Sequence, residues 1–174
     1  MAARKIQGGV ILLLLLVTSS GCGYRLAGGA IEAGQGETLA VPIFDNLTTD
    51  FRVEQRLTAA VRRELVQRTQ YRVVPGASGD VVLDGQVLSI TSIPIILTDR
   101  GRGTAYTVAV NISVRMTDTS DGSVVFENPF WTFREVFEVS NSSEAFVPED
   151  TAAMDRLARR FAESLVAALF NAKS

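Results

Sequence analysis

Residues 104–118 read TAYTVAVNISVRMTD, and they decide the class of fold. Tyr106, Val108, Val110, Ile112, Val114 and Met116 fall on one side of an extended chain. Thr107, Ala109, Asn111, Ser113 and Arg115 fall on the other. Period-two alternation sustained over a dozen residues predicts a strand with one face on a core and the other in water or against a polar partner. The residues after it, DTSDGS (118–123), predict a hairpin turn in which Asp121 and Gly122 take the positive φ angles. VVFENPFWTFREVFEV (124–139) then reads as an aromatic return strand, with Pro129 marking an edge or a bulge. Phe130 and Phe133 fall on opposite faces of it, so part of this aromatic set is core and part is available as a contact surface.

Working outward, GDVVLDGQVLSITSIPIIL (79–97) is a long strand, expected to bulge or bend at Gly85 and Pro94. YRVV (71–74) is a short strand closed by Pro75 and Gly76. LAVPIFDN (39–46) is a first strand in which Pro42 points to an edge or bulge. The stretch 47–68 is an amphipathic helix: Val53, Leu57, Val61 and Leu65 recur every four residues, and Thr48, Thr49 and Asp50 are all competent N-caps. Its Arg52, Arg56, Arg62 and Arg63 read as a solvated face. A second helix covers 147–170, with the apolar stripe Met154, Leu157, Phe161, Leu165 and Leu169. Two one-faced helices and a set of paired strands predict an α+β two-layer sandwich. Its sheet is mostly antiparallel, of about four or five strands, with both helices on one face.

The chemistry available is narrow. The 174 residues carry 17 basic and 19 acidic side chains, no histidine and one cysteine. Nucleophile–base pairs and the common zinc or copper ligand sets are therefore missing, and no phosphate-binding loop appears. An enzyme is not indicated, and no cofactor or metal is called for.

The N-terminus reads as an address. Arg4 and Lys5 precede VILLLLLV (10–17), an apolar run too short to span a bilayer, and small residues 18–21 follow. Small residues directly before Cys22 resemble the lipobox of bacterial lipoproteins, although Ser19 holds the place where leucine is usual. That resemblance implies a signal peptide over 1–21, acylation at Cys22, a Gly/Ala-rich lipidated tether over 22–37, and one periplasmic domain over 38–174. Gly23 after the cysteine favours the outer membrane. Losing Arg4 and Lys5 leaves an acidic mature chain, so a general field for nucleic acid is absent.

CGYRLAGG (22–29), LAVPIFDNLTTDFRVEQRLTAAVRRELVQRTQYRVV (39–74) and GDVVLDGQVLSI (79–90) together resemble the lipopolysaccharide-assembly lipoprotein family of the LptE type. The resemblance implies an outer-membrane lipoprotein on the periplasmic face. Its partner would be a large β-barrel translocon of the LptD type. It would sit in that barrel as a plug, aid barrel assembly and help deliver lipopolysaccharide to the outer leaflet. Direct lipopolysaccharide binding would fall to a local basic cluster: Arg100 and Arg102 at the tip TDRGRG (98–103), with Arg115 or Arg134 approaching along the strands. Guanidinium forks suit phosphate. VPIFDN followed by an amphipathic helix also resembles lipoproteins that activate peptidoglycan synthases, and those of curli-type secretion.

Overall fold

The computed structural model describes residues 36–97, 103–138 and 149–172. The expected signal peptide, Cys22, most of the expected tether, Arg100 and Arg102 lie outside the described residues. In chain order the elements are β1 (Thr38–Ala40), β2 (Asp45–Asn46), α1 (Val53–Arg68), β3 (Arg72–Val74), β4 (Val81–Leu97), β5 (Gly103–Asp118), β6 (Val124–Glu138) and α2 (Glu149–Ala172).

The fold is α+β. One sheet runs in the order β3-β1-β4-β5-β6, with β2 also paired to β4. The three long strands β4, β5 and β6 are antiparallel, as their hairpin spacing requires. The short strands are parallel to their neighbours, so the sheet is mixed. β1, α1 and β3 form a crossover unit, and a strand returning through a helix comes back parallel.

The alternation in β5 does what its pattern requires. Val108, Val110, Ile112, Val114 and Met116 are buried in a single core with Leu83 and Val87 of β4, and with the apolar stripes of both helices. Leu57, Val61 and Leu65 come from α1, and Leu157, Phe161 and Leu165 from α2. Phe161 is the hub of the helix–sheet contact. Its ring meets Phe133 at 5.3 Å, Phe44 at 6.2 Å and Trp131 at 6.3 Å, each edge-on. Most of the aromatic set of β6 is therefore core, while Phe130 is 63% exposed.

The stretch expected as one first strand is two short strands separated by residues 41–44. Pro42 breaks the ladder, and α1 supplies the missing partners. The Val41 carbonyl accepts from Arg62 Nε at 2.9 Å and Nη2 at 2.6 Å. Phe44 N–H donates to Thr58 Oγ1 at 3.0 Å. Arg62 is thus a structural donor and not part of a solvated face. Buried backbone groups must find partners, and here side chains provide them.

Helix α1 begins at Val53, six residues later than the sequence pattern suggests. Its cap position is Arg52, in the left-handed region (φ 65°) with no side-chain cap. Thr48, Thr49 and Asp50 form a turn organised by Asn46. Asn46 Oδ1 accepts from Thr48 N–H at 2.9 Å, while its amide donates to the Asp50 carbonyl at 2.9 Å and to Glu54 at 2.8 Å.

Bulges fall at two places in β4: between Val87 and Ser89, and around Pro94–Ile96. The first is displaced from Gly85, where one was expected. Gly85 serves another purpose: a Cβ there would lie 2.6 Å from the ring of buried Phe44. Gly85→Ala must push that ring out of its packed position. The expected loss is about 1–3 kcal/mol, read by urea denaturation. In β6, Pro129 and Phe130 together face Ser113, the bulge that Pro129 indicates. The β5–β6 turn spans residues 119–123, and within it only Gly122 has positive φ (74°).

Candidate functional site

The face of the sheet away from the helices carries the polar side of β5. A hydrogen-bonded ladder crosses three strands at its middle. Asn111 Nδ2 donates to Ser89 Oγ at 2.7 Å, and Thr132 Oγ1 donates to Asn111 Oδ1 at 2.6 Å. Each side chain is partly buried and fixes its neighbour's rotamer, so this is an ordered polar surface and not a loose one.

Nearer the β5–β6 turn lies an open groove of about 470 Å³, bordered by Asp45, Asp84, Arg115 and Glu127. Arg115 donates from Nε and Nη2 to Glu127 Oε1 at 3.1 and 2.5 Å, and Asp84 stands directly across from it on β4. Burial in the groove raises the Asp84 carboxyl above its ordinary value of 3.8; the nearby Asp45 charge adds to this and Arg115 opposes it. A carboxyl whose folded pKa is raised binds its proton more tightly in the native state. Its contribution to stability is therefore full below pH 3.8 and is lost as pH rises through the folded value. Asp84→Asn should accordingly stabilise the domain slightly at pH 7, by less than about 1 kcal/mol given its exposure. The gain should vanish below pH 4, about the unfolded carboxyl pKa. Thermal melts at the two pH values check this.

Arg134, also exposed on this face, stands opposite Ala109. Arg115 is six positions further along β5, roughly 20 Å away at strand spacing. The structure therefore does not bring these two arginines together. Arg134 lies toward the β4–β5 tip, and Arg115 toward the opposite end and in the company of three carboxylates. Arg100 and Arg102, between β4 and β5, fall outside the described residues.

One cluster the sequence reading missed ties sheet to helix. Glu135 of β6 is 9% exposed and accepts from Arg156 Nε at 3.0 Å, with Arg160 Nη1 at 3.1 Å. An acidic residue on the core side of a strand, opposite Val108, was the available signal. On the outer surface of the helix layer, Arg56 pairs with Asp155 at 2.7 Å. Among the described residues no cluster of histidine, cysteine or acidic side chains is arranged to hold a metal ion. None of the described helices is long and apolar enough to cross a membrane.

The chain matches the family model LptE, lipopolysaccharide-assembly, over residues 36–169, well over half of its length.

The chain belongs to the LptE family.

The matched span runs from just before β1 into the last turn of α2, so the whole sheet, α1 and all but the last three residues of α2 lie inside it. LptE-family proteins are lipopolysaccharide-assembly lipoproteins and not enzymes. Solved structures similar to it include protein XCC0632 from Xanthomonas campestris, at 14% identity and TM-score 0.53, covering 76% of this chain and 84% of that one. Uncharacterized lipoprotein B from Nitrosomonas europaea matches at 10% identity and TM-score 0.51, covering 77% and 83%. The hypothetical protein CT253 from Chlamydia trachomatis matches at 10% identity and TM-score 0.51, covering 76% and 95%. At such identities the likeness is one of fold. No curated protein matches the chain.

Proposed function

We propose that this LptE-family chain is an outer-membrane lipoprotein that plugs a β-barrel lipopolysaccharide translocon of the LptD type. In this reading residues 1–21 are removed and Cys22 carries the acyl chains. Residues 22–37 tether the domain 38–174 to the periplasmic face of the outer membrane. The domain helps the barrel to assemble and lipopolysaccharide to reach the outer leaflet.

The observation that carries the proposal is the family match across the folded domain. The open sheet face supports it. A plug in a water-filled lumen needs a polar exterior on a rigid frame, and the Ser89–Asn111–Thr132 ladder and the Arg115–Glu127 pair provide polar side chains locked in place. A free lipid carrier needs a deep apolar groove instead, whereas the groove on this face is bordered by Asp45, Asp84, Arg115 and Glu127. Direct contact with lipopolysaccharide phosphates is assigned to Arg100 and Arg102. Arg134 is the nearer strand arginine, and Arg115 is already engaged by Glu127.

Depletion in the native cell tests this reading. Lipopolysaccharide at the cell surface should fall while newly made lipopolysaccharide accumulates inside the outer membrane, and the barrel partner should lose its folded, heat-modifiable form. Normal surface lipopolysaccharide after depletion, with a defect in peptidoglycan synthesis or fibre secretion in its place, would reject the proposal.

A further inference from the structure

We infer that the open edge of β4 between Ser89 and Ile93 receives an extended strand of the barrel partner, a strand-addition contact that rests on the plug reading above. Lower down, β4 is paired on both sides. β1 stops opposite Val82 and β2 stops opposite Val87. From Ser89 onward β4 has β5 on one side and no strand on the other among the described residues. Ser89 to Pro94 run in unbroken register against Asn111 to Tyr106, and the flanking bulges set the ends of the window. Its backbone N–H and C=O groups repeat at strand spacing over roughly 17 Å. Only another extended chain complements such a row.

The other edges are blunted by charge as well as by bulges or brevity, whereas here Pro94 and the bulges lie only at the ends of the window and no charge falls within it. β6 carries exposed Glu127, Arg134 and Glu138, with Pro129 and a bulge in its middle. β3 has three residues, the first an exposed arginine. Charges, proline, bulges and brevity are the usual defences against unwanted pairing. From Gly85 to Leu97, by contrast, there is no charged residue. The helices do not cover this part either: Ser92 and Pro94, on the helix side by their pairing with Val108 and Tyr106, are exposed. On the open face Ile93, Thr107 and Val136 lie in one cross-strand row, with Ile93 57% and Val136 49% exposed. An incoming strand therefore finds a free backbone edge with an apolar row beside it.

The occupant is a partner strand and not a second copy. Pairing this window with its copy would join five residues a side, short of the roughly 20–30 a side of a stable interface between two proteins, whereas for a domain enclosed by the barrel this edge is one contact among many. The chemistry of the occupant follows from the edge: an extended, uncharged segment with apolar side chains on alternate positions.

Hydrogen exchange on the intact complex, extracted from envelopes in detergent, tests this. Relative to the free chain, alternate amides within Ser89–Ile93 should exchange at least about tenfold more slowly in the complex. Thr91→Lys, at an exposed position, should keep wild-type melting and lower barrel recovery at least about tenfold, whereas Thr91→Val should keep recovery. Unchanged exchange at 89–93, with the barrel still held by Thr91→Lys, overturns the strand contact and leaves the plug reading standing. A wild-type chain that recovers no barrel overturns both.

Discussion

Phe161→Ala will cost about 3–5 kcal/mol, the range for truncating a fully buried aromatic ring. Phe161 has no exposed surface, and it joins α2 to Phe44 beside β2 and to Trp131 and Phe133 of β6. Its removal leaves three edge-on partners facing a void that strands β4 and β5 are too rigidly paired to fill. Edge-to-face pairs add about 0.5–1.5 kcal/mol each to area burial, so the loss should fall in the upper half of the range. Melting should drop by on the order of 10 °C. Phe130→Ala is the control: that ring is mostly exposed, and surface substitutions fall within about 0.5 kcal/mol of neutral. Equal losses for the two would show that the helix layer is not held by Phe161.

Replacing Cys22 should release from the membrane every copy of the domain that the barrel does not hold. Acyl chains contribute about 0.8 kcal/mol per buried methylene, and stable anchoring takes more than one chain. No described helix offers a second anchor. The variant must be built with care. Cys22→Ser alone leaves the apolar run VILLLLLV uncleaved, and that run would itself hold the chain to a bilayer. The informative chain replaces residues 1–21 with an ordinary cleavable signal and carries Cys22→Ser. In cells depleted of the barrel partner, fractionation should find it in the soluble periplasm. Recovery of this variant with the outer membrane at wild-type yield in those cells would mean that something other than acylation or the barrel contact holds it there.

The parts of the fold legible in the sequence were those set by local period. The β5 alternation and the two helical stripes each face the core as their spacing requires, because burial acts on every second or every fourth side chain alike. What the sequence hid depended on distant partners. Pro42 announced a broken strand, but Arg62 and Thr58, which satisfy the break, come from a helix some twenty residues on. Three good caps preceded α1, yet Asn46 drew them into a turn and left Arg52 at the helix start. Gly85 looked like a bulge and proved to be the clearance for a ring forty residues away in sequence.

The candidate surface divides the same way. That Arg115 and Arg134 share the open face follows from alternation on each strand. Their separation depends on the β5–β6 register, and the engagement of Arg115 depends on Glu127 being its cross-strand partner. Neither register nor pairing across a bulge is written in the period of a single strand.

Native mass spectrometry of the chain extracted from envelopes in mild detergent tests the central claim most directly. One lipidated copy should appear bound to one copy of a large outer-membrane β-barrel, and the complex should survive dilution. A lone monomer, a ring of identical copies or a complex with a peptidoglycan synthase would contradict it.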